Sequence, residues 1–343
     1  MATSAAHLNI GIIGAGRIGK VHAAHLARHV PRARLAVIAD VSEEAARACA
    51  QENGVPRAVA DHRAVLDDPG VDAVVVCSST DTHARIVTET AQAGKHIFCE
   101  KPIDHDLAKI RRALDAVERA GVKLQIGFNR RFDANFARVR RAILDGEIGQ
   151  PHLLHIISRD PAPPPISYIK VSGGLFLDMT IHDFDMARFL IGAEVEEVYT
   201  AAGVLVDPAI GAAGDLDTAV VVLEFANGVI GTIDNSRRAV YGYDQRVEVF
   251  GSAGGVRIDN NYPNTALISD AGSVRRDLPL NFFMDRYTES FLAEMRAFID
   301  AVLDNTPTPV TGHDGLAPVV MGIAARKSYD EHRPVRLVEV LSQ

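Results

Sequence analysis

The chain of 343 residues contains no tryptophan, and aromatic residues make up only 6% of it. Stacking platforms for single-stranded nucleic acid need aromatic faces, so this scarcity argues against them. An excess of positive charge is also missing: the formal balance is -8, and basic residues cluster only in short pairs such as Arg111-Arg112 and Arg130-Arg131. Phosphate backbones reward the opposite balance. No apolar run reaches the roughly 18 residues that a membrane-spanning helix requires. The opening residues, MATSAAHLN, lack the basic-then-apolar pattern of a secretion signal and read as a ragged start before the first strand. Cysteine is confined to Cys49, Cys77 and Cys99, without metal-site spacing. Cys77 and Cys99 fall in apolar strand-like runs and read as reduced core residues. These absences point to a cytosolic protein with no nucleic-acid partner and no membrane partner.

What is present suits a globular chain. Hydrophobic residues make up 47% and charged residues 23%, and the length predicts two domains. Residues 1–126 alternate apolar strands with helices: Leu8 to Ile13, Arg34 to Ala39, Asp72 to Cys77, Lys95 to Cys99 and Val122 to Ile126 are the strands. Their apolar runs are continuous rather than alternating, as a parallel sheet covered on both faces requires. The expected class is α/β, with an N-terminal Rossmann dinucleotide-binding domain. Residues 127–343 change character. After a helix over Ala134 to Asp145 come His152 to Ser158, Val195 to Leu205, Thr218 to Phe225, Val229 to Asn235, Arg246 to Phe250 and Gly255 to Asp259, with a hairpin signal at Asn227-Gly228. This predicts an α+β domain on an open, largely antiparallel sheet, with a last helix at about Ala317 to Asp330 that packs on either domain.

The sharpest motif is Gly14-Ala15-Gly16-Arg17-Ile18-Gly19, which directly follows a strand and opens a helix. Gly14 permits the tight turn and Gly16 a close backbone approach to a pyrophosphate. Gly19 permits close helix–strand packing. Asp40 ends the second strand roughly twenty residues further on, where a carboxylate accepts from ribose hydroxyls and repels a 2′-phosphate. The cofactor expected is NAD rather than NADP. Ser78, Thr80 and His83 follow a later strand of the same domain and are cofactor neighbours by position, although a loop and helix-cap role competes with that reading. Glu100-Lys101-Pro102 also ends a parallel strand, at the crevice where ligands bind such sheets. An ordinary solvated lysine is the competing reading.

The second cluster runs from Ser172 to Asp185. Asp178 and His182 are four residues apart, hence on one face if the stretch is helical. Histidine is the side chain whose ordinary pKa suits a base near neutrality. A surface helix, or a metal site with a third ligand, are the competing readings; no third ligand is marked by spacing, so no metal is expected.

The glycine motif, Glu100-Lys101-Pro102, the stretch Gly127-Phe128-Asn129-Arg130-Arg131-Phe132-Asp133 and Asp178-x-x-x-His182 together resemble the Gfo/Idh/MocA oxidoreductase family. Ser158-Arg159-Asp160-Pro161, Tyr168-Ile169-Lys170, Asn235-Ser236-Arg237-Arg238 and Tyr241-Gly242-Tyr243-Asp244 look like its bacterial inositol 2-dehydrogenase branch. The resemblance runs from about residue 8 to 330. It implies that Lys101, Asp178 and His182 are the catalytic group. It also implies NAD-dependent oxidation of myo-inositol to scyllo-inosose, with scyllo-inositol or a pyranose such as glucose as the alternative substrate. A catalytically idle dinucleotide sensor is the alternative of another class. The resemblance further implies a homo-oligomer, a tetramer in preference to a dimer. Arg130, His155, Asp160, Asn235 and Tyr241 are the candidate walls of a polar polyol pocket, competing with ordinary structural roles.

Overall fold

The computed structural model describes residues 7–342; the ragged start expected at MATSAA lies outside them. The chain divides into two compact units. The first comprises residues up to Asn129 together with Glu289–Ala317, and the second comprises Arg130–Thr288 together with Pro318 onward.

In the first unit the strands are β1 (Leu8–Ile13), β2 (Ala33–Ala39), β3 (Ala58–Val59), β4 (Ala73–Val76), β5 (His96–Glu100) and β6 (Leu124–Gly127), all paired in parallel in the order β3-β2-β1-β4-β5-β6. This is the dinucleotide-binding order, whose switch point falls between β1 and β4. β4 is buried at every position, as its uninterrupted run Ala73-Val74-Val75-Val76 requires of a central strand. Helix Leu107–Ala120 shows how locally explicit the sequence is. Asp106 caps it by accepting from the amides of Ala108 and Lys109, and Gly121 ends it in the left-handed region at φ +66°.

Assigning all of 127–343 to a second domain differs from this structure by three residues at the boundary, which lies after Asn129, and by one internal segment. Helix Phe283–Leu303 contributes Leu292, Met295, Phe298 and Ile299 to the core that Ile10, Ile12, Val75 and Phe98 also form. Those four positions make one apolar stripe of helical spacing, and burying it against the parallel sheet draws Glu289–Ala317 into the first unit. The same helix leaves helical geometry at Tyr287 (φ −118°, ψ 15°). The last long helix runs Gly312–Glu331 and passes from the first unit to the second at Pro318.

The second unit is built on β7 (Pro151–Arg159), β8 (Val195–Gly203), β9 (Thr218–Phe225), β10 (Ile230–Ser236), β11 (Asp244–Gly251) and β12 (Gly254–Ile258). A small separate ribbon follows, β13 (Ile268–Ser269) with β14 (Val274–Arg275), and then β15 (Val335–Arg336). The sheet order is β12-β11-β7-β10-β9-β8-β15, antiparallel except for the central β7–β10 pair. Asn227-Gly228 forms the β9–β10 turn, with Gly228 at φ +83°. One face is packed by helix Ile181–Ile191, and on it Leu154, Ile156, Ser158, Ile233 and Asn235 are buried. The other carries the exposed side chains of Leu153, Tyr199, Val220, Ile230 and Phe250.

Candidate active site

In the first unit the glycine loop is dictated by contacts that allow no side chain at two of its three glycines. Gly14 sits at φ +105°, and a Cβ there would lie 2.5 Å from the Cys77 backbone. A Cβ on Gly19 would lie 1.9 Å from the Gly14 carbonyl oxygen. Gly16 differs, since a Cβ there would meet nothing within 4 Å. The space above Gly16 is open, and helix Arg17–His29 begins beside it without a side-chain cap. An open space at an uncapped helix N-terminus fits a pyrophosphate. Asp40 braces this loop: Ala15 N–H donates to its Oδ2 at 2.7 Å and Ser42 N–H to its Oδ1 at 2.8 Å. Ala15 is buried, whereas Arg17 is exposed and Ile18 partly so.

Ser78 precedes helix Thr80–Gln92 and Thr80 opens it, and Ser78 Oγ lies 2.6 Å from Thr82 Oγ1. His83 is 2% exposed, with Nδ1 2.8 Å from the Pro102 carbonyl and Nε2 2.9 Å from that of Ser78. Both ring nitrogens are therefore engaged with backbone, and the imidazole ties two strand-end loops instead of facing a ligand. Glu100 likewise turns its carboxylate inward, to His22. Lys101 follows directly, one residue beyond the end of β5. Lys101 is partly exposed and precedes a cis bond to Pro102.

In the second unit the Asp178–His182 spacing does not lie on one continuous helix. Helix Gly174–Asp178 stops, and a new one begins at Ile181–Ile191. Between them Thr180 N–H reaches back to the Leu175 carbonyl and His182 N–H to that of Met179, so the regular ladder is interrupted. Asp178 is braced at both carboxylate oxygens. Tyr168 Oη donates to its Oδ1 at 2.9 Å, and Arg237 Nη1 donates to its Oδ2 at 3.1 Å. Arg237 is 1% exposed and its Nη2 lies 3.5 Å from Asp215 Oδ2. Asp215 in turn accepts from Leu175 N–H, which anchors the start of the Asp178 helix. Tyr168 and Arg237 lie in motifs that carry the family resemblance, but contacts between separate elements leave no periodic trace that would give either a bracing role.

The expected pocket walls separate into three groups. Arg130 and Asn235 are buried and committed to each other's network: Arg130 pairs with Asp183 at 2.6 Å, and Asn235 donates to the same carboxylate at 2.9 Å while accepting from Thr180 at 2.6 Å. Burial opposes the Arg130 charge, but Tyr287, Tyr243 and Asp183 hold its pKa above the ordinary value, while burial raises Asp183. Asp160 retains some surface, yet desolvation pushes its carboxyl up to about 6; Arg237 opposes that rise and Asp178 adds to it. Asp160 thus shares surroundings with the braced Asp178. Tyr241 donates to Asp244 at 2.5 Å and accepts from Arg159 at 3.2 Å.

His155 does not join them. It bonds Thr232 on the exposed face, whereas Ser158, of opposite parity on β7, is buried on the helix-covered face. The period of two along the strand thus removes His155 from the side that carries helix Ile181–Ile191. The one group of metal-ligating side chains among the described residues involves neither Asp178 nor His182.

Comparison with known proteins agrees with this geometry. Residues 8–128 match the Gfo/Idh/MocA model described as an oxidoreductase family with an NAD-binding Rossmann fold, and residues 136–257 match the family's C-terminal domain. A myo-inositol 2-dehydrogenase from Thermotoga maritima is 52% identical, over 97% of this chain and 100% of that one. An inositol 2-dehydrogenase from Rhizobium meliloti is 47% identical over 96% and 99%. Among solved structures, a probable dehydrogenase from Thermotoga maritima superposes with a TM-score of 0.95 at 52% identity, covering 97% of this chain and 100% of that one. A scyllo-inositol dehydrogenase from Lactobacillus casei, with NAD(H) and scyllo-inositol bound, gives 0.90 at 29% identity over 97% and 99%. The chain is an NAD-binding oxidoreductase, a member of the Gfo/Idh/MocA family.

Proposed function

We propose that this chain oxidises myo-inositol to scyllo-inosose with NAD, in the cytosol and as a homotetramer serving inositol catabolism. The observation that carries the substrate is near-full-length similarity to two proteins named for oxidation of inositol at position 2. The exposed apolar face of Leu153, Tyr199, Val220, Ile230 and Phe250 supports assembly, because a sheet face of that composition is stabilised by cover.

NAD, held over Gly14, Gly16 and Gly19 with its adenosine ribose at Asp40, supplies the hydride acceptor. The chain's own residues handle the proton. In this reading Lys101 hydrogen-bonds the reacting oxygen and stabilises its developing negative charge. His182 accepts the hydroxyl proton, and Asp178, fixed by Tyr168 and Arg237, orients substrate and imidazole. Asp160 supplies a further acceptor for a ring hydroxyl. Polar groups of this kind discriminate epimers, since a misplaced hydroxyl leaves buried partners unmatched. Scyllo-inositol is the second reading, favoured by the neighbour solved with that polyol.

The test is the initial rate of NADH formation with myo-inositol, scyllo-inositol, chiro-inositol, D-glucose and L-glucose, with His182→Ala as control. The expected result is highest kcat/KM for myo-inositol and a fall of about 10²–10⁴-fold in the control. A preference for another member replaces the substrate. Silence across the panel with intact NAD binding leaves a dinucleotide sensor as the better reading.

A further inference from the structure

The first unit holds a buried group of ionisable side chains that cofactor and substrate binding do not account for. His22 Nε2, from helix Arg17–His29, lies 2.7 Å from Oε1 of Glu100 at the end of β5. Glu294, from helix Phe283–Leu303, completes the group: one atom from each of the three lies within 4.8 Å of the others. His22 and Glu294 have no exposed surface, and Glu100 keeps 8%. The walls are apolar, with Phe98 and Phe291 packed edge-on against the His22 ring and Phe298 against Phe98. The other titratable groups that feel the cluster are His25, Cys77 and Cys99. Both Glu294 carboxyl oxygens, His22 Nδ1 and Gln125 Oε1 lack hydrogen-bond partners.

Two carboxylates this close, in apolar surroundings with one imidazole beside them, do not both ionise; a proton or a cation must be shared. The His22–Glu100 separation decides between these. Two bonds of about 2.0–2.1 Å at a tetrahedral angle hold ligand atoms roughly 3.3 Å apart, whereas 2.7 Å is a hydrogen-bond length.

We propose that His22, Glu100 and Glu294 form a proton-holding cluster in which Glu294 is a neutral carboxylic acid and the His22–Glu100 contact fixes the end of β5, directly before Lys101. Burial holds the Glu294 carboxyl well above its ordinary range, and the neighbouring Glu100 raises it further. Holding the Glu100 side chain fixes the last residue of β5, from which the chain continues into Lys101. His22 is then a positioning residue, and this role rests on Lys101 acting at the reacting oxygen as proposed above.

Infrared spectra of the full-length protein at neutral pH test protonation without reference to turnover. The difference between parent and Glu294→Gln is expected to show loss of a protonated-carboxyl carbonyl band, and no such loss overturns the proposal. Stoichiometric metal in the parent that disappears in His22→Asn also overturns it. Positioning is read by amide hydrogen exchange at Glu100 and Lys101. His22→Gln, which can still hydrogen-bond Glu100, is expected to match the parent there and to hold kcat within roughly threefold. His22→Leu, which packs but cannot hydrogen-bond, is expected to speed that exchange and lower kcat about tenfold at unchanged NAD affinity. Parental exchange at these two amides in the Leu variant would reduce the cluster to a packing element. If the polyol panel is silent, the infrared and exchange results still stand, so failure of the substrate reading is distinguishable from failure of this one.

Discussion

The glycine loop of the first unit and the Ser172–Asp185 segment of the second shape their ligand surfaces by opposite means. In the loop, recognition is a matter of backbone: Gly14 and Gly19 are forced by contacts with other main-chain atoms, and Gly16 leaves an opening. In the segment it is a matter of side chains held by other side chains, since Asp178 takes its orientation from Tyr168 and from the buried Arg237. A backbone-built site is common to many proteins that bind the same cofactor, whereas a side-chain-built one changes with each substituted partner. This is why the cofactor follows from the fold, while the polyol epimer depends on a handful of residues.

The sharpest way to break this comparison is at the glycines. Gly19→Val drives a side chain into the Gly14 carbonyl and is expected to abolish NAD binding together with folded-state stability. Gly16→Val meets no protein atom and is expected to keep the parental melting temperature while weakening NAD by more than about 100-fold. Calorimetry and thermal unfolding on both variants separate the two effects, and equal losses of stability would end the distinction.

Arg237→Met probes the side-chain half. Removing the guanidinium leaves Asp178 and Asp215 without their buried partner, and kcat/KM for the polyol should fall about 100-fold while NAD affinity is unchanged. Unaltered polyol kinetics would show that Asp178 keeps its orientation without Arg237.

Asp160 gives a smaller, pH-dependent signal. Its folded pKa, about 6, lies above the ordinary 3.8, so the folded state holds its proton more tightly than the unfolded state does. Stability relative to Asp160→Asn is therefore expected to fall as pH rises from about 4 to 6, by up to about 3 kcal/mol, and to change no further above that. Denaturant titrations at several pH values check it, and a difference that does not vary with pH would place Asp160 in contact with solvent. The smallest effect is expected at His155→Ala, with less than roughly twofold change in kcat/KM, because that side chain stands on the opposite face of the sheet.

Much of the first unit was legible because parallel strands buried on both faces write continuous apolar runs, and because glycine is obligatory where backbone meets backbone. Sheet class and hairpin position in the second unit were legible for similar local reasons. Arg237 and Tyr168 were not, since each meets Asp178 across a gap in sequence that no periodicity spans. The placement of His155 is written in strand parity, since Leu154 and Ile156 on either side of it are apolar and buried. The break after Asp178 escaped the four-residue spacing rule because the backbone stays near helical values while its hydrogen bonds do not. Helix Phe283–Leu303 has a readable apolar stripe, but a stripe names a buried face without naming the core that receives it.

That returning helix bears on how the protein is made. A ribosome that has released the first 129 residues has delivered every strand of the parallel sheet, but not Leu292, Met295, Phe298 or Ile299, which cover part of its core. The whole of Arg130–Thr288 must emerge before they arrive. The unit begun first is therefore finished late, and the nascent chain carries an uncovered apolar flank while Arg130–Thr288 is made, the stage at which such surfaces recruit chaperones or aggregate.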